Sequence, residues 1–149
     1  MTSLSSPPYT HSDLRLQRWL DQFGTGNADA LRCLLADDAV FLSPVVHTPQ
    51  EGAEQTFAYL SAADHVFEGS GFRYVQFLVD GDSAVLEFEA TIDGIHVNGV
   101  DMIHWNPDGG IDRFKVMVRP MKAMNILWEK MAAMLAAADA DRTANGTPT

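Results

Sequence analysis

SAVLEFEATIDGIHVNGVDMIHW, residues 83–105, is the stretch whose reading decides the fold. Before Asp93-Gly94, apolar side chains stand at every second position: Ala84, Leu86, Phe88, Ala90 and Ile92. After it, Val97, Gly99, Asp101, Ile103 and Trp105 share one parity, so a single carboxyl interrupts a run of small and apolar residues. A period of two belongs to a strand with one buried face, and Asp-Gly favours the tight turn of a hairpin. The stretch therefore folds as two long antiparallel strands, Ser83 to Ile92 and Ile95 to Trp105. Moving outward, Phe72 to Val79 alternates in the same way beyond Asp80-Gly81. Ile111 to Val118 does so beyond Asn106-Pro107-Asp108-Gly109-Gly110. Four strands in succession, divided by turn signals, make an antiparallel meander.

Upstream the period becomes helical. Thr10 and Asp13 read as a capping box ahead of Leu16, Trp19, Leu20 and Phe23, which recur at i, i+3, i+4 and i+7. That helix stops at Gly24-Thr25-Gly26; Asn27 caps a short second one carrying Leu31, Leu34 and Leu35, which Asp37-Asp38 ends. Ala39 to Ser43 reads as a short strand that leaves the sheet at Pro44, since proline donates no ladder hydrogen bond. A third helix opens at Thr48-Pro49-Gln50-Glu51 or near Gly52 and turns Phe57, Leu60 and Ala63 inward. Pro120 suits the first turn of a last helix with a stripe of Met121, Met124, Trp128, Met131 and Leu135. These elements predict an α+β fold with helices gathered on one face of the sheet. The expected organisation is one domain over residues 10–138, with flexible tails at 1–9 and 139–149.

A chain of 149 residues with 46% hydrophobic and 20% charged residues can build one core. Cys33 is the single cysteine, so neither an intrachain disulfide nor a cysteine-based zinc site can form. A net charge of −10, with no basic cluster, opposes binding to a phosphate backbone. No apolar run reaches spanning length, and Met1 to Pro8 lack the basic and apolar regions of a signal peptide. The expectations are a cytoplasmic protein with neither nucleic-acid nor membrane partners. His96 and His104 lie eight apart on one strand with parity opposite to Asp101, which puts them about 27 Å from each other, too far to share a metal. No metal and no cofactor is expected.

The order of elements, together with Leu35-Ala36-Asp37-Asp38-Ala39-Val40-Phe41, Ser43-Pro44, Gly52 and Asp101-Met102-Ile103-His104-Trp105-Asn106, resembles the nuclear transport factor 2-like superfamily. Within it the chain looks closest to the SnoaL-like group related to polyketide cyclases and ketosteroid isomerases. The resemblance implies a cone-shaped, curved antiparallel sheet with helices packed on its concave face, a cystatin-like roll closed by a C-terminal helix. It is weak for activity, because the superfamily hosts isomerases, cyclases, hydrolases, dehydratases and proteins without catalysis.

Asp101 is the leading catalytic candidate. If its strand neighbours face the core, so does its carboxyl, and burial there raises the pKa and favours a protonated general acid. The resemblance puts the oxyanion-hole aspartate of the ketosteroid isomerases at this position. It also implies a catalytic carboxylate in the Asp-Pro step that ends the first strand, where this chain has Ser43-Pro44, and an oxyanion-hole tyrosine where it has Trp19. A hydroxyl cannot be that base and an indole cannot replace the phenol, so steroid isomerisation is disfavoured. Gly99 stands where the superfamily's epoxide hydrolases carry an arginine, which disfavours that chemistry too. SnoaL-like cyclases, which the resemblance implies work essentially with one strand aspartate, fit better. His47 in the loop after the first strand is a second acid–base candidate. Ser43 is a polar contact; Trp19, Phe41, Tyr59, Leu86, Phe88, Phe114, Val116 and Val118 are expected walls, although aromatics at helical spacing serve a plain core equally well.

The reading is a pocket for a small hydrophobic, carbonyl-containing molecule. Its rival is a non-catalytic binding or dimerisation module of the same fold, supported by the missing base at Ser43. A homodimer is expected through the outer sheet face, where Val85, Glu87, Glu89, Thr91, Val100 and Met102 point away from the pocket. The methionine-rich last helix is the competing surface.

Overall fold

A computed structural model describes residues 9–144. It contains α1 (Leu14–Gln22), α2 (Ala28–Leu34), β1 (Leu35–Leu42), β2 (Gln50–Glu51), α3 (Ala53–Phe67), β3 (Arg73–Asp80), β4 (Ser83–Ile92), β5 (Ile95–Trp105), β6 (Ile111–Arg119) and α4 (Met121–Ala144). Six strands form one curved, unclosed sheet in the order β2-β1-β6-β5-β4-β3. The α+β roll with a terminal helix is as the sequence predicts, and β4 and β5 fall within the expected bounds. Alternation was strongest there, and Asp93, at φ 51°, and Gly94, at φ 78°, adopt the left-handed pair that a two-residue turn needs. Register shifts at Val75 on β3, and at Asp112 on β6 opposite His104 and Trp105, mark bulges. Bulges bend and twist strands, which gives the sheet its concave face.

Several local expectations need correction. Asp13 itself caps α1, its carboxylate accepting from the amides of Arg15 and Leu16, because a carboxylate at this position outcompetes a capping box begun at Thr10. Arg15 pairs with Asp13, reaches Asp82 Oδ1 at 2.8 Å and lies over the Trp105 ring, tying α1 to the β3–β4 turn. That turn is Gly81-Asp82, one residue later than Asp80-Gly81, since Asp80 pairs with Ser83. Leu35 opens β1 rather than closing α2, and Asp37-Asp38 lie exposed within the strand, where a bulge separates the two stretches paired with β6. That pairing is parallel, the sheet's one departure from antiparallel order. Gln50-Glu51 pair with β1 as a short strand, and Gly52, at φ 96°, caps α3 in a conformation open chiefly to glycine. The Thr56 hydroxyl then donates to the Ala39 carbonyl, holding α3 against β1.

The tail boundaries also move. Tyr9, expected in a flexible segment, accepts a hydrogen bond from the Tyr74 amide at 2.8 Å and packs edge-on against Tyr74 and Phe77. At the other end α4 continues past Asp139 to Ala144. Residues 1–8 and 145–149, the rest of the expected tails, lie outside the described residues. Among the described residues no helix is long and apolar enough to cross a membrane. The core sits between the concave face and the helices. Trp105, Tyr74, Phe88, Phe114, Leu16 and Leu86 are its largest fully buried side chains.

Candidate functional site

Strand register places Leu86, Asp101 and Val116 in one row across β4, β5 and β6. The next row along is Phe88, Gly99 and Val118. Gly99 is required by its neighbour, because a Cβ there would stand 2.5 Å from Phe88 Cζ and 2.6 Å from the Met117 carbonyl oxygen. Without a side chain at 99, the Phe88 ring lies flat on β5 and leaves the carboxyl of Asp101 on the concave side. Asp101 is 7% exposed and faces a narrow, mostly apolar cavity of about 70 Å³. The walls come from every layer: Trp19 and Phe23, Phe41, Tyr59 and Leu60, Phe72, Phe88, Phe114 and Val116. Leu127, Trp128, Met131 and Leu135 of α4 close the open end.

One chain of hydrogen bonds orients the carboxyl. Trp19 Nε1 donates to the Tyr74 hydroxyl at 3.1 Å, and that hydroxyl donates to Asp101 Oδ2 at 2.7 Å. Because an indole can only donate, it directs the phenolic proton toward the carboxyl. Burial pushes the Asp101 carboxyl up to about 7, and the hydrogen bond from Tyr74 draws it partly back. Tyr74 is raised well above its ordinary value, first by burial and then by the Asp101 charge and hydrogen bond, so it remains a phenol. With Oδ2 occupied, the acidic proton of Asp101 belongs on Oδ1. No buried side-chain oxygen among the described residues is both sealed off and unpartnered, so Oδ1 reaches the cavity.

Ser43, Trp19, Phe41, Tyr59, Phe88, Phe114 and Val116, the expected ligand contacts, all line this cavity beside Asp101. The Ser43 hydroxyl is engaged locally, accepting from the Val45 amide at 3.1 Å. Leu86 is fully buried behind the wall. His47 and Val118 lie elsewhere, on a surface groove of about 520 Å³ that meets the cavity only through Ser43, Pro44 and Val116. The loop carries the exposed His47 ring outward, so the structure does not bring the two expected catalytic groups together.

Two residues escaped the sequence reading. Tyr74 shared the parity of Phe72 on a strand, a signal that the bulge after it obscured. Asp64 completes a spacing of i, i+3, i+7 and i+10 with Phe57, Leu60 and Phe67, a carboxyl on an apolar stripe. It lines the cavity and also a second groove of about 460 Å³ beside the Gly24 to Asn27 loop. Burial raises its carboxyl above the ordinary value, His65 opposes this and Glu68 adds to it. Among the described residues no three His, Cys, Asp or Glu side chains gather as a metal centre requires.

Comparison with known proteins follows the same lines. Residues 16–114 match the model of the SnoaL-like domain. A steroid delta-isomerase from Pseudomonas aeruginosa is 37% identical over 91% of this chain and 99% of its own, with a TM-score of 0.81. An uncharacterised bacterial protein with a cystatin-like fold from Silicibacter pomeroyi is 29% identical, covering 87% and 89% of the two chains at a TM-score of 0.78. A candidate SnoaL-like polyketide cyclase from Jannaschia, at 18% identity, 77% and 94% coverage and a TM-score of 0.59, shares the fold alone. No curated protein matches the chain. A curved sheet with helices on its concave face and a domain match over most of its length lead to one assignment: the chain belongs to the SnoaL-like domain family of the nuclear transport factor 2-like superfamily.

Proposed function

We propose that this protein binds a small hydrophobic molecule bearing a carbonyl group and acts on it by acid–base chemistry, with Asp101 as the acid. The observation that carries this reading is the carboxyl itself: a buried aspartic acid, held by Tyr74 through Oδ2, presents Oδ1 to an apolar cavity. Such a group donates a hydrogen bond to a carbonyl oxygen and stabilises the negative charge that develops when a neighbouring C–H proton leaves. In a dry site that interaction is much stronger than in water. The 37% identity to a steroid delta-isomerase adds support for carbonyl-directed proton transfer as a class. It does not extend to that substrate, because Ser43 ends β1 with a hydroxyl already engaged by the Val45 amide.

A cavity of about 70 Å³ is smaller than the usual range of roughly 300–1,000 Å³ for ligand sites. A ligand of that size therefore needs the cavity walls to move apart. The narrowness also gives support to the second reading, a non-catalytic binding or dimerisation module of the same fold, on its dimerisation side.

Deuterium exchange into 2-tetralone, a bicyclic ketone with acidic protons beside its carbonyl, separates the two. The wild-type protein is expected to accelerate exchange over buffer, and Asp101→Asn to lose about 10²-fold or more of that rate while keeping its fold. Saturable binding of 2-tetralone with no acceleration would favour the non-catalytic module.

A further inference from the structure

The acid–base reading leaves a gap, since a carbonyl activated by Asp101 needs a base to take the proton. Ser43 does not supply one, and His47 faces a different groove. The cavity wall itself contains two carboxyls: Asp101 from the sheet, and Asp64 from the last turn of α3. Ser43 and Tyr59 also bring hydroxyls to the wall, and neither is basic at neutral pH.

The two acids differ in setting. Asp101 is fully enclosed and bound to a phenol. Asp64 is half-buried, and among the described residues no hydrogen bond or ion pair engages its carboxylate. It stands where the cavity opens into the groove beside Gly24, with Phe23, Phe67 and Phe72 as the other residues common to both spaces. The charged or titratable neighbours are His65 on α3 and Glu68 at its C-terminal cap, with Tyr74 and Asp101 on the sheet. An unpaired carboxylate on an otherwise apolar helical stripe has no structural partner to account for it; a helix can only lose stability by turning it inward.

From this arrangement we infer that Asp64 is the proton-accepting partner of Asp101, a further catalytic residue for substrates with an acidic C–H beside a carbonyl. The assignment rests on the acid–base reading above. In the step it performs, the Asp64 carboxylate takes the proton, so a C–H bond breaks and an O–H bond forms. The released electron pair becomes the C=C bond of the enolate, and the carbonyl π pair moves to oxygen. That oxygen accepts the hydrogen bond from Asp101 Oδ1. Protonated Asp64 then either trades its proton for a solvent deuteron and delivers that to the same carbon, which is exchange, or, where a second C=C is conjugated with the enolate, delivers its proton to the far carbon of that dienolate, which is isomerisation. Two carboxyls in one cavity, one buried and bound to a phenol and the other open to a groove, let one site hold an acid and a base together. Because Asp64 sits at the opening and Asp101 in the depth, the substrate enters carbonyl first. Its reacting carbon stays near the groove beside Gly24.

The test is the same 2-tetralone exchange, followed by NMR for the full-length protein and three variants. Asp64→Asn is expected to cut the maximal exchange rate about 10²-fold or more, with KM for 2-tetralone little changed, and Asp64→Glu to restore part of it. Thermal denaturation checks that both variants fold; as a side chain with no hydrogen bond or ion pair among the described residues, Asp64 gives the fold little to lose. Exchange by Asp64→Asn at the wild-type rate overturns the assignment and leaves Asp101 as the acid. Exchange lost in Asp64→Asn yet retained in Asp101→Asn keeps Asp64 as the base and sinks the proposed acid. A wild-type protein no faster than buffer overturns both.

Discussion

Asp101 retains its proton because nothing around it can solvate an anion except one phenol. Phe88, Phe114 and Val116 share its cavity, and Tyr74 supplies a single hydrogen bond. The consequence for stability can be signed. An unfolded chain ionises this carboxyl near the ordinary value of about 4, whereas the folded chain holds the proton up to about 7. Between those values the unfolded state binds fewer protons, so stability falls as pH rises, and the loss is complete above about 7. Below the unfolded value the contribution is fully present. Asp13 acts in a separate window and with opposite sign: Arg15 lowers its carboxyl to about 2, so its contribution is lost only as pH falls through that value. Urea denaturation of wild type from mildly acid to neutral pH is expected to show the decline. Asp101→Asn, which has no proton to lose, is expected to lack this component. A decline of equal size in both proteins would place the titrating group elsewhere.

Among the elements, β4 and β5 carried their fold openly in the sequence, and Gly99 shows why their packing tolerates little change. Gly99→Ala would put a methyl group against both the Phe88 ring and the Met117 carbonyl. Such overpacking costs about 1–3 kcal/mol. A urea midpoint shift of that order, with the protein still folded, is expected; no shift would mean that the Phe88 ring is not held against β5. The strands were legible because each has one buried and one outer face, and Asp101 was legible as the exception to that alternation. What stayed hidden depended on partners distant in the chain. β1 begins at Leu35 because β6 lies parallel to it, a pairing that alternation within residues 35–42 does not encode. Asp64 was hidden by its helix, where Ala63 one position earlier reads equally well as the inward residue. Tyr74 was hidden by the bulge that follows it, and His47 followed its loop away from the cavity.

At the scale of the whole molecule, the outer sheet face and the cavity make separate demands. Leu78, Val85, Met102 and Lys115 form one row across the outer face, and Gln76, Glu87, Val100 and Met117 another. Leu78 is 56% exposed and Met117 is 50% exposed. A two-fold homodimer through this face is proposed, since exposed apolar residues in register on one sheet face are best covered by a copy of themselves. Light scattering is expected to give a dimer for wild type and a monomer for Met102→Lys, with 2-tetralone exchange unaffected. A Met102→Lys dimer would move the interface elsewhere. The cavity demands something the dimer does not, an acid kept neutral inside a negatively charged protein, and the whole account depends on that acid. Carboxyl-carbon NMR of the full-length protein, titrated from acid to alkaline pH and assigned with Asp101→Asn, reads it directly. The account predicts an Asp101 midpoint of about 7; a midpoint at or below the ordinary aspartate value would contradict it.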